Sequence, residues 1–317
     1  MKPEKTSTKI AGVDVGKHHL DAAVHGLEEQ IQVSNDASGL SELAAWLKTH
    51  GVSRVGLEAS GGYERDVVAA LGAAGLEVVL HQPLEVRLFA RLKRMRAKND
   101  RIDARVIAAA TTQVEAVKAA ADPRLQELGD RMTAYEQITD QLAALKIFME
   151  HVRLEDVDRE LRAQIASLER LKARLAANVL KAIKAHADLL GRFRLLLSLP
   201  GVGPIVAAGL VARLPELGSM RRGQASCLLG VAPFDRDSGQ FKGQRFIVGG
   251  RSRPRRLMYL AAIAAKRFDT GLRAFAERLS AAGKPPKLVT VAVMRKLIEA
   301  ANLVLSRGQP WVKQPAT

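Results

Sequence analysis

The sequence predicts an α/β domain built on a mixed sheet, then a long antiparallel pair of helices, then a mainly helical and strongly basic region. Three observations carry this. Short apolar strands alternate with amphipathic helical segments over the first hundred residues. Residues 122–190 sustain a helical apolar repeat with almost no glycine. Residues 191–317 hold 22 Lys and Arg against 6 Asp and Glu, whereas residues 1–105 hold 15 against 14 and residues 106–190 hold 12 against 13.

The elements follow in order. Ile10–Val15, Leu20–Val24 and Ile31–Ser34 read as three strands joined by tight turns. Ser38–His50 reads as a helix with Leu40, Leu43, Ala44 and Leu47 on one face and Gly51 as its stop. Val52–Ala59 is a fourth strand, Tyr63–Ala74 a helix closed by Gly75, and Glu77–His81 a fifth strand. Helix follows from Leu84 and again from about Asn99, giving β-β-β-α-β-α-β-α and a mixed sheet with helices packed on it. Leu125, Leu128, Met132, Ile138, Leu142, Leu145 and Met149, then Leu161, Ile165, Leu168, Leu175, Val179 and Ile183, place two long helices folded back near Leu154–Asp158. Beyond them come a helix to Leu199, the turn Pro200-Gly-Val-Gly203, a helix to Arg213, a glycine-rich stretch from Asp237 to Arg251, and helices at Leu257–Lys266 and Lys287–Leu305. The expected domains are 8–110, a helical coiled-coil arm at 111–192, and a basic domain at 193–310.

Composition narrows the function. The 317 residues are 47% hydrophobic, enough for sizeable cores, and no apolar run approaches the 18 or so residues of a membrane span. The polar residues 1–9 give no reason to expect a secretory signal, and a cytoplasmic home with no membrane partner is expected. Cys227 is the only cysteine, so an intramolecular disulfide and a thiolate metal cluster are both excluded. An aromatic content of 4% argues against a sheet that stacks bases on rings. A net charge of +16, all of it in the last third, points to a polyanionic partner.

Four carboxylates stand out. Asp14 lies inside the apolar strand Val13-Asp14-Val15, and Glu58 repeats the pattern at the end of the fourth strand. Burying an acid there is costly unless it meets a cation or a hydrogen-bond donor. Asp100 and Asp103 are three apart, hence about one turn apart on one helical face. Singly, each has a bland reading: a strand-end aspartate on backbone amides, or a solvated face balanced by Arg101 and Arg105. Together they form the donor set that hard divalent cations prefer. Two strand carboxylates followed by two on a later helix resemble the DEDD set of RuvC-like domains in the RNase H group.

The basic region adds a second resemblance. Leu199-Pro-Gly-Val-Gly-Pro-Ile-Val-Ala-Ala208 resembles a helix-hairpin-helix turn, in which glycines let backbone amides approach a phosphate; a plain interhelical turn is the alternative. Gly230-Val-Ala-Pro, Ser238-Gly239 and Gly249-Gly-Arg-Ser-Arg-Pro-Arg-Arg-Leu-Met-Tyr-Leu260 resemble the C-terminal transposase domain of the IS-one-ten insertion-sequence family, which includes the Piv-type invertases. Both motif sets occur in order, from Ile10 to Leu305.

The resemblance implies an RNase H/RuvC-like domain whose Asp14, Glu58, Asp100 and Asp103 bind Mg2+ or Mn2+. It implies a nucleophilic serine matching Ser238, a covalent phosphoserine intermediate, donor and target DNA, an element-encoded guide RNA, and a homo-oligomer assembled through the arm. Ser226 and Ser252 remain rivals to Ser238 on chemistry alone. Nine Lys and Arg fall between Arg221 and Arg256, opposed only by Asp235 and Asp237. Gly201, Gly203, Arg221, Arg222, Lys242, Arg245, Arg251, Arg253, Arg255 and Arg256 are the candidate nucleic-acid contacts. The seven histidines, His18, His19, His25, His50, His81, His151 and His186, all precede residue 191, so no Ser-His pair exists within the basic region. A serine there needs another activator, and a carboxylate-held metal fills that role, which requires the two domains to meet.

The expected function is a DNA transposase or site-specific recombinase. The alternatives are a RuvC-type structure-specific endonuclease using metal-activated water, and a non-catalytic nucleic-acid scaffold that leaves four carboxylates unexplained. An actin-like ATPase headed by Asp14-Val-Gly16 would need a second glycine-rich loop midway, where residues 122–190 offer helix.

Overall fold

The computed structural model describes residues 9–94, 100–115, 122–235, 243 and 245–312, the side chains of 100–102 excepted. Contacts divide the chain into two compact units, Met1–Ala120 and Ala121–Thr317.

In the first unit β1 (Lys9–Val15), β2 (His19–Val24) and β3 (Gln30–Ser34) form an antiparallel meander. Helix α1 (Ala37–Thr49) leads to β4 (Val52–Glu58), parallel to β1, and α2 (Glu64–Ala73) leads to β5 (Glu77–His81), parallel to β4. Helices α3 (Pro83–Leu92) and α4 (Asp100–Thr111) follow. The sheet order is β3-β2-β1-β4-β5, a mixed sheet with helices, and its elements start within one residue of the positions read from the sequence. Helix α1 begins where Asp36 accepts from Ser38 N at 3.0 Å and Gly39 N at 2.9 Å, satisfying amides with no partner inside the helix.

Alternation along the strands sets the two faces of this sheet. Ala11, Val13, Val15, Leu20, Ala22, Val55 and Leu57 share a core with Leu40, Leu43 and Leu47 of α1 and Val67 and Leu71 of α2. The opposite face carries α4. A Cβ on Gly12 would collide with the backbone of Ala104 and Ala108, and one on Gly56 with the Thr111 hydroxyl, so the α4 backbone lies directly on β1 and its Thr111 and Ile107 side chains on β4. Val106 and Ile107 of α4 in turn cover Val86, Phe89 and Ala90 of α3.

The second unit opens with the helical hairpin α5 (Pro123–Met149) and α6 (Glu155–Lys184). Its turn spans residues 150–154, a few residues before the expected Leu154–Asp158. Glu155, Asp156 and Asp158 belong to the first turn of α6, where carboxylates meet the positive end of the helix dipole; in the sequence they looked like loop. Then come α7 (Ala187–Leu197), α8 (Pro204–Arg213), α9 (Gln224–Leu229), the strands β6 (Pro233–Phe234) and β7 (Phe246–Ile247), α10 (Ser252–Phe268), α11 (Thr270–Ala281) and α12 (Pro286–Arg307). Helix α10 starts five residues before the expected Leu257, on Ser252, and α11 had no counterpart in the sequence reading.

One core runs through this unit. Leu128 and Met132 of α5 and Val179 and Ile183 of α6 pack with Leu196 of α7, Leu210 of α8, Met258 of α10 and Val293 of α12. The root of the hairpin is thus part of the basic region's core. The ion pair of Arg213 and Glu136, 3.0 Å apart and largely shielded, locks α8 to α5. Desolvation holds the Arg213 pKa below its usual value, against the opposing pull of Glu136. No helix among the described residues is long and apolar enough to cross a membrane.

Candidate functional site

The face of the first sheet that carries α4 bears a polar row at one register level. Asp14 of β1 opposes Asp21 of β2, and Asp21 opposes Gln32 of β3. In the other direction Gly12 and Val13 pair with Gly56 and Leu57, which brings Glu58 of β4 level with Asp14, and Glu58 pairs with His81 of β5. Residues directly opposite on neighbouring strands share a face, so Gln32, Asp21, Asp14, Glu58 and His81 cross the sheet together on the α4 side. Asp14 and Glu58 sit near the C-terminal ends of adjacent parallel strands, both half-buried.

Helix α4 brings the other predicted acids. Asp103 immediately precedes Ala104, whose backbone lies against Gly12, and it is half-buried. Asp100 is the first residue of α4, and its side chain lies outside the described residues. Among the described residues, no three His, Cys, Asp or Glu side chains are grouped closely enough to hold a metal ion. The chemistry of the donors nonetheless suits a hard divalent cation: two strand carboxylates level with each other under a helix that carries two more.

Sequence reasoning missed Asp21. It is only 7% exposed, and Gln32 Nε2 donates to both its oxygens, at 3.1 and 3.2 Å. Its signal was present, since an acid inside the apolar strand Leu20-Asp-Ala-Ala-Val24 is the pattern that singled out Asp14. Glu64 was also missed. Its Oε2 accepts from Ser60 N, Ser60 Oγ and Gly62 N at 2.8–3.1 Å, fixing the loop after β4. Burial pushes its carboxyl up, but those hydrogen bonds prevail and hold it below the ordinary range.

At the end of the row His81 is buried. Thr111 donates its hydroxyl hydrogen to Ile107 O at 2.7 Å, so the 2.9 Å contact with Thr111 Oγ1 takes its hydrogen from His81 Nε2. Desolvation lowers the His81 pKa, and Glu85, 3.9 Å away, partly opposes this.

In the second unit Ser238 and Lys242 lie outside the described residues. The rival serines are both described. Ser226 has no exposed surface and donates to Glu299 Oε1 at 2.6 Å, a packing role closed to DNA. Ser252 is exposed at the first position of α10. An open groove of about 1020 Å³ is lined by Arg222, Cys227, Asp235, Arg245, Arg251 and Arg295, among others. Asp235 pairs with Arg245 at 2.5 Å, and Glu216 with Arg251 at 2.5 Å.

The remaining candidate contacts divide. Arg253 donates to Thr133 Oγ1 and Glu136, and Arg256 pairs with Asp140, so both bind α10 to α5. Arg255 donates to the carbonyls of Gly230 and Gly249 and stitches that turn. Arg221 and Arg222 are exposed. Gly201 has φ 74°, and a Cβ there would collide with Ala261 and Ala265 of α10, so this glycine serves helix packing. Gly203, the N-cap of α8, has open space around it. A basic motif in a sequence does not reveal which arginines an adjacent acidic helix face takes up.

A mixed sheet with carboxylates level on adjacent strands, followed by a helical unit rich in Lys and Arg, is the arrangement of a protein that acts on nucleic acid. Two family models match the chain: a DEDD model of the IS110 type, described as Transposase, over residues 11–153, and Transposase IS116/IS110/IS902 family over residues 193–277. The chain belongs to the IS110 family of transposases. Along nearly its whole length it is similar to the pilin gene-inverting proteins of Moraxella bovis and Moraxella lacunata, each 22% identical over 97% of this chain and 99% of the relative. Among solved structures, T. thermophilus RuvC in complex with a Holliday junction substrate aligns with 35% of this chain and 98% of its own, at 17% identity and a TM-score of 0.29.

Proposed function

We propose that this transposase breaks and rejoins DNA through a covalent phosphoserine intermediate on Ser238, with Asp14, Glu58, Asp100 and Asp103 holding Mg2+ or Mn2+. The observation that carries the metal assignment is the level placement of Asp14 and Glu58 on the face covered by α4, the helix that bears the other two acids. When bound, the metal supplies positive charge to phosphoryl oxygens in the displacement. In the covalent step the Ser238 Oγ–P bond forms as one P–O bond of the phosphodiester breaks. The serine gives up its hydroxyl proton, and the leaving oxygen gains one. Burial of Ser226 supports Ser238 by removing one rival.

Relatives named as pilin gene-inverting proteins support rejoining over hydrolysis, because inversion conserves the DNA it cuts. Donor and target DNA are the substrates in this reading, and a guide RNA encoded by the element directs them, as membership of the family suggests. The arm joins copies of the chain: Ile147 and Phe148 at the end of α5 and Leu154 before α6 expose 63%, 54% and 64% of their surface at its tip.

The test is a denaturing gel of the full chain incubated with labelled element-end DNA and Mg2+. A protein–DNA adduct is expected, lost in Ser238→Ala and in Asp14→Asn and retained in Ser252→Ala. Free 5′-phosphate and 3′-hydroxyl ends without adduct, made equally by Ser238→Ala, would overturn the serine and establish a water-using nuclease.

A further inference from the structure

Two short loops leave the first sheet just beyond the acids of the candidate site. Residues 16–18 follow Asp14 on β1, and residues 59–63 follow Glu58 on β4. The two strands are parallel neighbours, so both loops emerge at the same end of the sheet. The register pairs of β1 with β4 run only as far as Val13 with Leu57, one residue before the acids. Asp14 pairs instead with Asp21 on β2, and Glu58 with His81 on β5, so each acid is anchored to a different outer strand. The second loop also contains Gly61 and Gly62 at φ 79° and 124°. Glycines have the widest backbone freedom, so such a loop keeps one shape only where other groups select it.

Two side chains make that selection. Glu64, the first residue of α2, accepts through Oε2 from Ser60 N at 3.1 Å, Ser60 Oγ at 2.9 Å and Gly62 N at 2.8 Å. Asn35, directly after β3, reaches both loops. Its Nδ2 donates to Gly16 O at 2.9 Å and to Tyr63 O at 3.5 Å, and its backbone N donates to His18 O at 2.9 Å. One amide side chain thus links the loop after Asp14 to the loop after Glu58, and Glu64 gives the second loop its shape.

We propose that Asn35 and Glu64 are positioning residues for the carboxylate site. By tying together the loops beyond Asp14 and Glu58, they set the spacing at which the two acids meet a divalent cation. The proposal rests on the metal reading above and deepens it. Mg2+ demands near-ideal octahedral geometry, so a small error in donor placement is costly. Groups that orient metal ligands typically change affinity by about 10–100-fold. A brace of purely structural value would lower stability and leave the metal affinity of the folded protein unchanged.

The test is a titration of the full chain with Mn2+, without DNA, that follows the electron paramagnetic resonance signal of the free ion. Melts fix a temperature at which each variant is folded. Asn35→Leu and Glu64→Leu should each weaken Mn2+ binding about ten-fold, the lower end of the range for groups that act through a ligand. The Mg2+ concentration that half-saturates cleavage should rise by the same factor. Glu64→Gln removes the same charge but keeps an accepting oxygen for the loop amides, so it should recover most of the loss. Leu47→Ala is the control for general destabilisation, because Leu47 is fully buried in the core on the opposite face of the sheet. Its Mn2+ affinity should match that of the wild type.

Asn35→Leu and Glu64→Leu proteins that bind Mn2+ like the wild type would overturn the proposal. So would an equal loss in Leu47→Ala, which would make the effect one of stability. A Glu64→Gln protein no better than Glu64→Leu would assign the loss to charge and overturn the brace. Asn35→Leu keeps the backbone bond to His18 and alters a half-buried loop side chain, so it decides the matter even if Glu64→Leu fails to fold. An Asp14→Asn protein that binds Mn2+ normally would defeat the metal reading itself. Weak binding in Asp14→Asn beside normal binding in Asn35→Leu and Glu64→Leu would defeat the brace alone.

Discussion

Asp14 and Asp21 stand directly opposite each other on the antiparallel strands β1 and β2, two carboxylates on one face of the sheet. Only Asp21 is buried, and Gln32 on the next strand donates to both its oxygens. Like charges opposed across an antiparallel pair cost stability unless a cation or donor lies nearby. Gln32 supplies that donor for Asp21, and in the proposed reading a metal ion would meet the Asp14 carboxylate.

Asp14→Asn should therefore abolish strand cleavage while the chain stays folded, with its metal-free stability unchanged or raised by up to about 1 kcal/mol. Gln32→Leu should lower stability by about 1–3 kcal/mol, because it leaves the Asp21 carboxylate buried without its donor. Urea unfolding without metal measures both. In a melt with added Mg2+, the wild type should gain more in Tm than Asp14→Asn, since a ligand that binds only the folded state stabilises it. An equal gain would sink the metal assignment of Asp14.

A second expectation concerns Gly12. The backbone of α4 rests on it, so Gly12→Ala must push the helix away or distort β1. The cost should be about 1–3 kcal/mol, as for other overpacked cores. Asp100 and Asp103 ride on the displaced helix, so cleavage should fall by more than stability alone explains. Gly72→Ala is the control, since a Cβ there meets nothing within 4 Å. If both variants keep wild-type cleavage, the close approach of α4 does not matter to the site.

These residues show how far the sequence could be read. Strand and helix starts in the first unit followed from apolar alternation and from stops such as Gly51 and Gly75, because local pattern and fold agree there. Gly12 and Gly56 were invisible as contact points, since nothing local says which strand glycine will meet a helix far along the chain. Asp14 and Glu58 were legible because an acid in an apolar strand is conspicuous, and Asp21 was equally conspicuous. Its overlooked role came from pairing register, which the sequence does not state. In the second unit Arg253 and Arg256 read as nucleic-acid contacts, yet Glu136 and Asp140 of α5 hold them. Those partners lie more than a hundred residues away and declare themselves only in the fold.

The third expectation is a pH effect from His81. Its folded pKa lies below the ordinary 6.5, chiefly through desolvation. Below pH 6.5 the unfolded chain therefore binds more protons than the folded one, and stability rises with pH. The contribution is fully present above pH 6.5 and is lost as the pH falls through the depressed folded value. His81→Gln should flatten the part of the curve of unfolding free energy against pH that lies below pH 6.5. An unchanged slope in that variant would show that His81 does not titrate between the two states.

The last expectation separates the three serines. Ser226 Oγ donates to Glu299 Oε1 at 2.6 Å, and the same carboxylate accepts from Ser226 N and Gly223 N, each at 3.1 Å. Glu299 sits on α12, so these bonds tie the start of α9 to a core helix of the basic unit. Ser226→Ala removes a hydroxyl from a site with no exposed surface and takes away the shortest of the carboxylate's three donors. The cost should be about 1–3 kcal/mol. DNA cannot reach the hydroxyl, so any loss of recombination in this variant should follow the fraction unfolded and recover at lower temperature. Ser252 is exposed at the first position of α10, and Ser252→Ala should change stability by less than about 0.5 kcal/mol, as surface substitutions do. Ser238→Ala should behave in the opposite way to Ser226→Ala, with an unchanged melt and no recombination at any temperature. Thermal melts and recombination assays at two temperatures on all three variants decide the matter. A Ser226→Ala protein that is fully folded and fully inactive would reopen the choice of nucleophile.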